Sequence, residues 1–448
     1  MHTLPPQVLT AMELLEQAGY ACHIVGGCVR DMLLGRTPSD YDLTTNALPE
    51  QMQQVFASCR TIETGIAHGT LTILLDGMSL ECTTYRVDGT YSDGRHPDSV
   101  RFTPTLEEDL ARRDFTVNAM AYHPRLGLTD PFGGQDDLKR GMLRCVGEPE
   151  RRFTEDALRI LRCVRFASVL GFTVEPETAA AVHSMKQRLE LVSAERIRSE
   201  LDKLLLGEHV TEILCRYGDV VFVSIPELAP CFGFAQHSRY HCYDVWTHIA
   251  HTVGAAPRDP LLRLTMLLHD VGKPDCFTLD PDGTGHFKGH APRGAVLAAK
   301  ILPRLRYDKH TCEQVTELIA WHAEKLRSRA AVRHALSRLG AEQFFRLIEV
   351  MCADNSAKQP FCLEELPGLL EAADYARALL DAGACLTLKQ LAVNGRDLAA
   401  IGAQGRQIGQ VLQMLLDAVV AERASNDRAQ LLELAQVCLR ELRAAPYM

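Results

Sequence analysis

The sequence predicts an α+β chain, with a small mixed sheet in an N-terminal head followed by an all-α remainder. Strand-like runs are confined to roughly the first 143 residues, and beyond Leu143 apolar residues recur at three-to-four spacing. A third sign is the Asp76-Gly77 pair between two apolar runs, a strong signal for a β-hairpin. At 448 residues the chain is long enough to bury a large core without cross-links.

Taken in order, residues 20–25 form a first strand that runs into Gly26-Gly27, and residues 41–45 form a second, just after Asp40. Residues 70–76 and 80–86 flank the Asp76-Gly77 turn. Residues 88–98, DGTYSDGRHPD, are rich in turn formers and read as a long functional loop. Helical periodicity then covers 153–170, 194–206, 246–255, 261–271, 312–322, 333–339, 342–352 and 407–420. No repeat of 20–50 residues is apparent.

Composition excludes several classes. No apolar stretch reaches the ~18–20 residues needed to span a bilayer, and the best run, 261–268, is interrupted by Arg263. The first residues lack the basic head and apolar run of a signal peptide. The 15 cysteines form no CxxC pair, a pattern suited to reduced thiols and a cytoplasmic location. A net charge of −9 argues against an indiscriminate nucleic-acid coat protein. Between Lys139 and Arg165, however, eight Lys/Arg face four Asp/Glu, which predicts a local basic face.

The most informative segment is VGGCVRD at 25–31, followed by SDYDL at 39–43. Paired glycines ending a strand let the backbone approach a ligand, and the next helix offers free N–H groups to a phosphate. Asp40 and Asp42 lie two apart on the predicted strand, so both project from one face and can hold one or two Mg²⁺ ions between them. Glu81, on the neighbouring predicted strand, is a third acidic candidate. A DxD pair alone is common, but GGxxRDxLLGRxxxDxD is specific. Gly26, Gly27, Arg30, Asp31, Gly35, Asp40 and Asp42 together resemble the active-site motif of class II nucleotidyltransferases, which include CCA-adding enzymes and bacterial poly(A) polymerases.

The resemblance extends over roughly residues 15–210. RRDFTVNA at 112–119 looks like the family's ribose-recognition motif, implying Arg113 and Asp114 as the ribose contacts and a structural role for Asn118. Selecting a ribonucleotide needs buried polar groups that a deoxy analogue would leave unpaired. DPFGG at 130–134 resembles the hinge between head and neck. FTEDALRILR at 153–162 is similar to the EDxxR nucleobase motif, although Ala157 stands where relatives carry a proline. On one helix Asp156 and Arg159 would lie side by side. One carboxylate and one guanidinium complement the amino donor and bare ring nitrogen shared by cytosine and adenine, and reject uracil and guanine. Each such polar pair is worth about 1–3 kcal/mol of discrimination. Arg162 and Arg165 continue this nucleotide-facing series. The segment 193–203, SAERIRSELDK, resembles the next motif, a helix capped by Ser193 with Arg196 toward the nucleotide.

A different constellation follows: His248, then HDVGKP at 269–274, then His290, His322 and Asp354. Imidazole and carboxylate converging from successive helices suit a transition metal or Mg²⁺. The pattern resembles the HD phosphohydrolase domain, which implies His248, His269, Asp270 and Asp354 as ligands and His290 and His322 for a second metal. His251 and His286 are near enough in sequence to replace them. Water activated there would cleave a phosphoester.

The resemblance thus implies a nucleotidyltransferase head at 1–143, an elongated helical neck and body at 144–235, an HD domain at 236–360 and a helical tail at 361–448. It implies Mg²⁺-dependent, template-independent addition of CCA to tRNA from CTP and ATP, with the acceptor arm recognised by shape and no membrane or obligate protein partner. Poly(A) polymerase, partial CC or A addition, and a primarily HD phosphohydrolase activity are the rival readings. The last 88 residues are not notably cationic, unlike a tail built for general RNA binding. The segment 64–70, TGIAHGT, is also more like the CCA-adding branch. The loop at 88–98 has the length expected of an enzyme that adds more than CC.

Overall fold

In the computed structural model of the chain, residues 3–89 and 100–444 are described. They form two compact units, Met1–Ala229 with Arg304–Arg306, and Pro230–Pro303 with Tyr307–Met448. The expected loop at 88–98 lies almost wholly outside the described residues.

In the first unit α1 (Pro6–Gln17) precedes β1 (Cys22–Val25), α2 (Gly27–Leu33), β2 (Asp42–Thr45) and α3 (Pro49–Val55). Then come β3 (Arg60–Ile62), β4 (Thr70–Leu75), β5 (Met78–Thr84), β6 (Arg86–Asp88), β7 (Val100–Phe102), α4 (Leu106–Ala111), β8 (Ala121–His123), β9 (Gly127–Thr129) and α5 (Gly134–Arg140). The seven-stranded sheet runs β3-β4-β5-β2-β1-β8-β9. It is mixed, as expected: β2 and β5 are parallel and the other neighbours antiparallel. Asp76 (φ 44°) and Gly77 (φ 82°) join β4 to β5 with Leu75 opposite Met78. Two left-handed residues give the tight turn whose twist matches the strands. Ile24, Val25, Leu43, Leu71, Ile73, Leu80 and Cys82 fill the core against the sheet.

The rest of this unit is β10 (Met142–Leu143), α6 (Pro149–Glu155), α7 (Leu158–Leu170), β11 (Thr173–Val174), α8 (Pro176–Met185), α9 (Ala194–Leu205) and α10 (Val210–Ser224). The single helix expected over 153–170 is two. Asp156 is extended (φ −141°, ψ 106°), so α6 stops at Glu155 and α7 begins at Leu158. The Asp156 carboxylate accepts the Leu158 N–H at 3.0 Å, and a short acidic side chain competes well with the helix for its own backbone.

The second unit contains α11 (Val245–Ala255), α12 (Pro260–Leu268), β12 (Thr278–Leu279), β13 (Gly285–His286), α13 (His290–Arg304), α14 (Lys309–Trp321) and α15 (Arg329–Ser356). It continues with α16 (Leu366–Asp381), α17 (Gly395–Ala400), α18 (Arg406–Val420) and α19 (Arg428–Ala444). Asp244, Asp259, Asp308 and Ser328 start α11, α12, α14 and α15, and each accepts a first-turn N–H with its side chain. Gly340 (φ 74°) breaks α15, matching the separate helices expected at 333–339 and 342–352. Leu398, Val411, Leu415, Leu431, Ala435 and Leu439 give the last helices their own core. Among the described residues no helix is long and apolar enough to cross a membrane.

Candidate active site and a candidate metal centre

Asp42 opens β2 and lies directly opposite Glu81 in the parallel register with β5. Register partners on adjacent strands share a face of the sheet, so the two carboxylates stand on one side. β5 is flanked by β4 and β2, so Glu81 sits on an internal strand and still reaches solvent. Asp40 is exposed and precedes the strand rather than lying in it. Burial, reinforced by the negative charges of Asp40 and Glu81 and opposed by Arg113, pushes the Asp42 carboxyl up to about 6. Acidic groups so incompletely offset fit a divalent cation by charge and by their oxygen donors.

Gly26 ends β1 at φ 82°, ψ −132°. A Cβ there would lie 3.1 Å from Nη1 of Arg113, so glycine lets that guanidinium lie against the strand end. Asp114 is buried. Its Oδ1 accepts the Phe115 N–H at 2.8 Å and the Asn118 amide at 3.1 Å, and its Oδ2 accepts Arg162 Nη2 at 2.6 Å and Nε at 2.9 Å. Burial opposes its charge, but Arg162 and Asn118 hold its carboxyl far below the usual range. With these four donors in place, Asp114 ties the head to α7. Asn118 also accepts from Arg30 Nη1 at 2.7 Å, and Arg30 donates to Asp31 at 2.9 Å. Gly27 starts α2 beneath them.

Sequence reading missed Phe166, whose ring gathers three guanidinium groups: Arg165 at 3.6 Å, Arg30 at 5.2 Å and Arg162 at 5.4 Å. Glu200 on α9 accepts from Arg165 at 2.6 Å. Like charges held this closely need a π face and acids between them.

Asp156 and Arg159 do not share one helix as expected, because the chain is extended at Asp156. Arg196 donates to Asp156 at 2.7 and 3.2 Å. Arg159 is buried and donates to Glu155 (2.8 Å), the Arg112 carbonyl (2.8 Å) and the Arg152 carbonyl (3.3 Å). Nor do residues 139–165 form one basic face, since Arg152 and Arg159 are buried and Arg144 is bonded to Asp137 at 3.0 Å. Ser193 occupies the N-cap position of α9 but makes no capping hydrogen bond.

In the second unit His248, His269 and Asp354 bring ligand atoms within 4.8 Å of one another, as do His269, Asp270 and His322. Glycine makes part of this possible: a Cβ on Gly272 would meet the His290 carbonyl at 2.5 Å, so HDVGKP packs against the start of α13. Asp270 Oδ2 faces His269 Nε2 (3.2 Å) and His248 Nε2 (3.3 Å), while Oδ1 faces His290 (3.5 Å) and His322 (3.7 Å). His248 Nε2 lies 3.0 Å from Asp354. In all four histidines Nδ1 meets a backbone carbonyl, of Ala357, Met266, Phe287 and Ile319, which leaves Nε2 for the centre. Lys273 and Lys358, not anticipated, each lie 2.6 Å from a carboxylate, of Asp270 and Asp354. Burial disfavours the His269 charge, but Asp270 and Asp354 raise it to about 9. His251 instead stacks on Tyr243, and His286 pairs with Asp280. Asp270, His290, His322 and Asp354 line a cavity of about 1570 Å³ with Arg239, Lys288 and Arg329 on its walls.

Comparison with known proteins accounts for the head. Residues 22–144 match the poly A polymerase head domain, residues 171–229 the family described as "Probable RNA and SrmB- binding site of polymerase A", and residues 295–435 tRNA nucleotidyltransferase domain 2. The CCA-adding enzyme of Lactobacillus delbrueckii subsp. bulgaricus is 34% identical over 431 residues, 95% of this chain and 96% of that protein. That of Lactiplantibacillus plantarum is 33% identical over 95% of this chain and 94% of its own. The crystal structure of the Bacillus stearothermophilus CCA-adding enzyme in complex with CTP superposes with a TM-score of 0.75 at 27% identity, over 98% of this chain and 99% of that one. The chain therefore belongs to the family of CCA-adding enzymes.

Proposed function

We propose that this chain adds the 3′-terminal CCA to tRNA from CTP and ATP. The observation that carries this is the Asp42–Glu81 register pair with Asp40 beside it, in a head matched across its length to nucleotidyltransferases. The 3′-hydroxyl of the trimmed tRNA attacks the α-phosphate, a new phosphodiester forms, and pyrophosphate leaves. A divalent cation such as Mg²⁺, held by Asp40 and Asp42, would offset triphosphate charge and favour ionisation of the attacking hydroxyl. Glu81 adds negative potential on the same face, and Arg113 reaches toward the nucleotide from the end of β1. Asn118 steadies Arg30, and Asp114 steadies Arg162. Asp156, oriented by Arg196, and Arg159, oriented by Glu155, offer an acceptor and a donor to the cytosine or adenine edge. Incubating the protein with tRNA trimmed of its terminus and each labelled nucleotide, singly and together, tests this. Addition of C, C and A is expected; long A tails on generic RNA, or no incorporation, would overturn it.

A second reading concerns the histidine–aspartate centre, where two donor groups meet through the two oxygens of Asp270. The Nε2 atoms of His248 and His269 converge on the buried Asp270 Oδ2, a donor set that suits a metal ion. A metal there would activate water for phosphoester hydrolysis. Metal content after loading with Mn, Fe, Ni or Zn, measured alongside release of phosphate from phosphoesters, decides this. A centre that binds none of them would overturn it.

A further inference from the structure

Asp109 belongs to none of the motifs discussed above, yet it is fully buried and touches both β2 and the Arg112–Arg113 segment of the sugar motif. It lies on α4. Its Oδ1 accepts from Arg112 Nε at 2.9 Å, and Arg112 Nη2 lies 2.8 Å away. Its Oδ2 accepts from Arg113 Nη2 at 3.3 Å and from the Thr44 hydroxyl at 3.1 Å. Thr44 follows Asp42 by two residues on β2, so the carboxylate links the acid-bearing strand to the guanidinium at the end of β1. The Nε of Arg113 is buried without a hydrogen-bond partner, which leaves Asp109 as its anchor among the contacts described. The last carbonyls of α4 are also engaged. Arg152 donates to the Ala111 carbonyl at 3.0 Å and Arg159 to the Arg112 carbonyl at 2.8 Å, where the helix end carries negative potential. One short helix therefore joins the strand of Asp42, the sugar-motif Arg113 and the base-motif Arg159.

We propose that Asp109 is a positioning residue for sugar recognition, holding Arg113 against Gly26 so that its guanidinium meets the ribose of the incoming nucleotide. This rests on the nucleotidyltransferase reading above. Misplacing a contact group by about 1 Å can cost up to roughly 100-fold in rate, and a site built to pair with a hydroxyl discriminates by that pairing.

The test is calorimetric binding of CTP, dCTP and UTP to the full-length protein and to Asp109→Asn, with CMP transfer to trimmed tRNA followed separately. The preference for CTP over dCTP should fall by about tenfold in Asp109→Asn while the preference for CTP over UTP is kept. Equal weakening of all three ligands, or an unchanged CTP/dCTP ratio, would overturn the proposal and leave Asp109 a fold-stabilising acid. Should Asp109→Asn fail to melt cooperatively, Thr44→Val decides instead. That variant removes one hydroxyl from Oδ2 and should shift the same ratio about two- to threefold, and no shift overturns the proposal. A wild-type protein that binds CTP but transfers no CMP would defeat the functional reading alone, because the binding ratios still judge Asp109.

Discussion

The two acidic clusters of this chain keep opposite electrostatic accounts. In the head, Asp42 is raised to about 6, with like charges beside it and only Arg113 in opposition. In the histidine–aspartate centre, Asp270 and Asp354 are buried, yet both are held well below the usual carboxylate range despite that burial, by His269 and Lys273 and by Lys358 and His248. Asp42 is the carboxylate that a counter-charge would relieve. The second cluster is woven into the packing of its helices. The same residue type is therefore left uncompensated in one place and held by neighbouring cations in the other.

Substitutions should separate the two. Asp42→Ala should lower CMP and AMP incorporation by about 5 kcal/mol, roughly five-thousandfold, without loss of thermal stability. A smaller fall measured on trimmed tRNA would weaken the contrast. Asp270→Asn should cost about 4 kcal/mol in denaturant unfolding because it leaves the buried Lys273 charge with only neutral acceptors such as Gln236, while incorporation persists below the melting temperature. Asp42→Asn should add about 1–2 kcal/mol at pH 7 in chelator, discounted for its partial exposure. A carboxyl raised from 3.8 to about 6 on folding penalises the fold fully above pH 6 and not at all below about pH 4. The gain should therefore vanish as melts are taken down to pH 4, and a gain that persists there would refute the assignment. Smallest of all, Phe166→Leu should raise the KM for CTP and ATP about threefold to tenfold by releasing the three arginines, with Phe166→Trp restoring most of it.

Much of this was legible in the linear chain because it rests on local rules. The Asp76-Gly77 turn and the break between helices at Gly340 follow from backbone preferences that act within a few residues. The placement of Asp156 and Arg159 on one helix fails for the same reason. Helical spacing made them neighbours, but Asp156 is extended and bonds Leu158, and its true partner is Arg196, forty residues on. Asp109 and Phe166 left no motif to find, since each matters only through residues on other elements.

By itself the sequence determined the chemistry on offer: which acids, histidines and arginines exist, which strand and helix each rides, and which glycines open the close approaches. Only the tertiary structure decided the pairing. At Asp42 the neighbours that set its charge, Glu81 and Arg113, come from other elements, whereas Asp270 is held partly by its own neighbours His269 and Lys273 and partly by His248, His290 and His322 from other helices. A charge's energy is set by its surroundings in space, and local pattern encodes only the part that lies within a turn of helix.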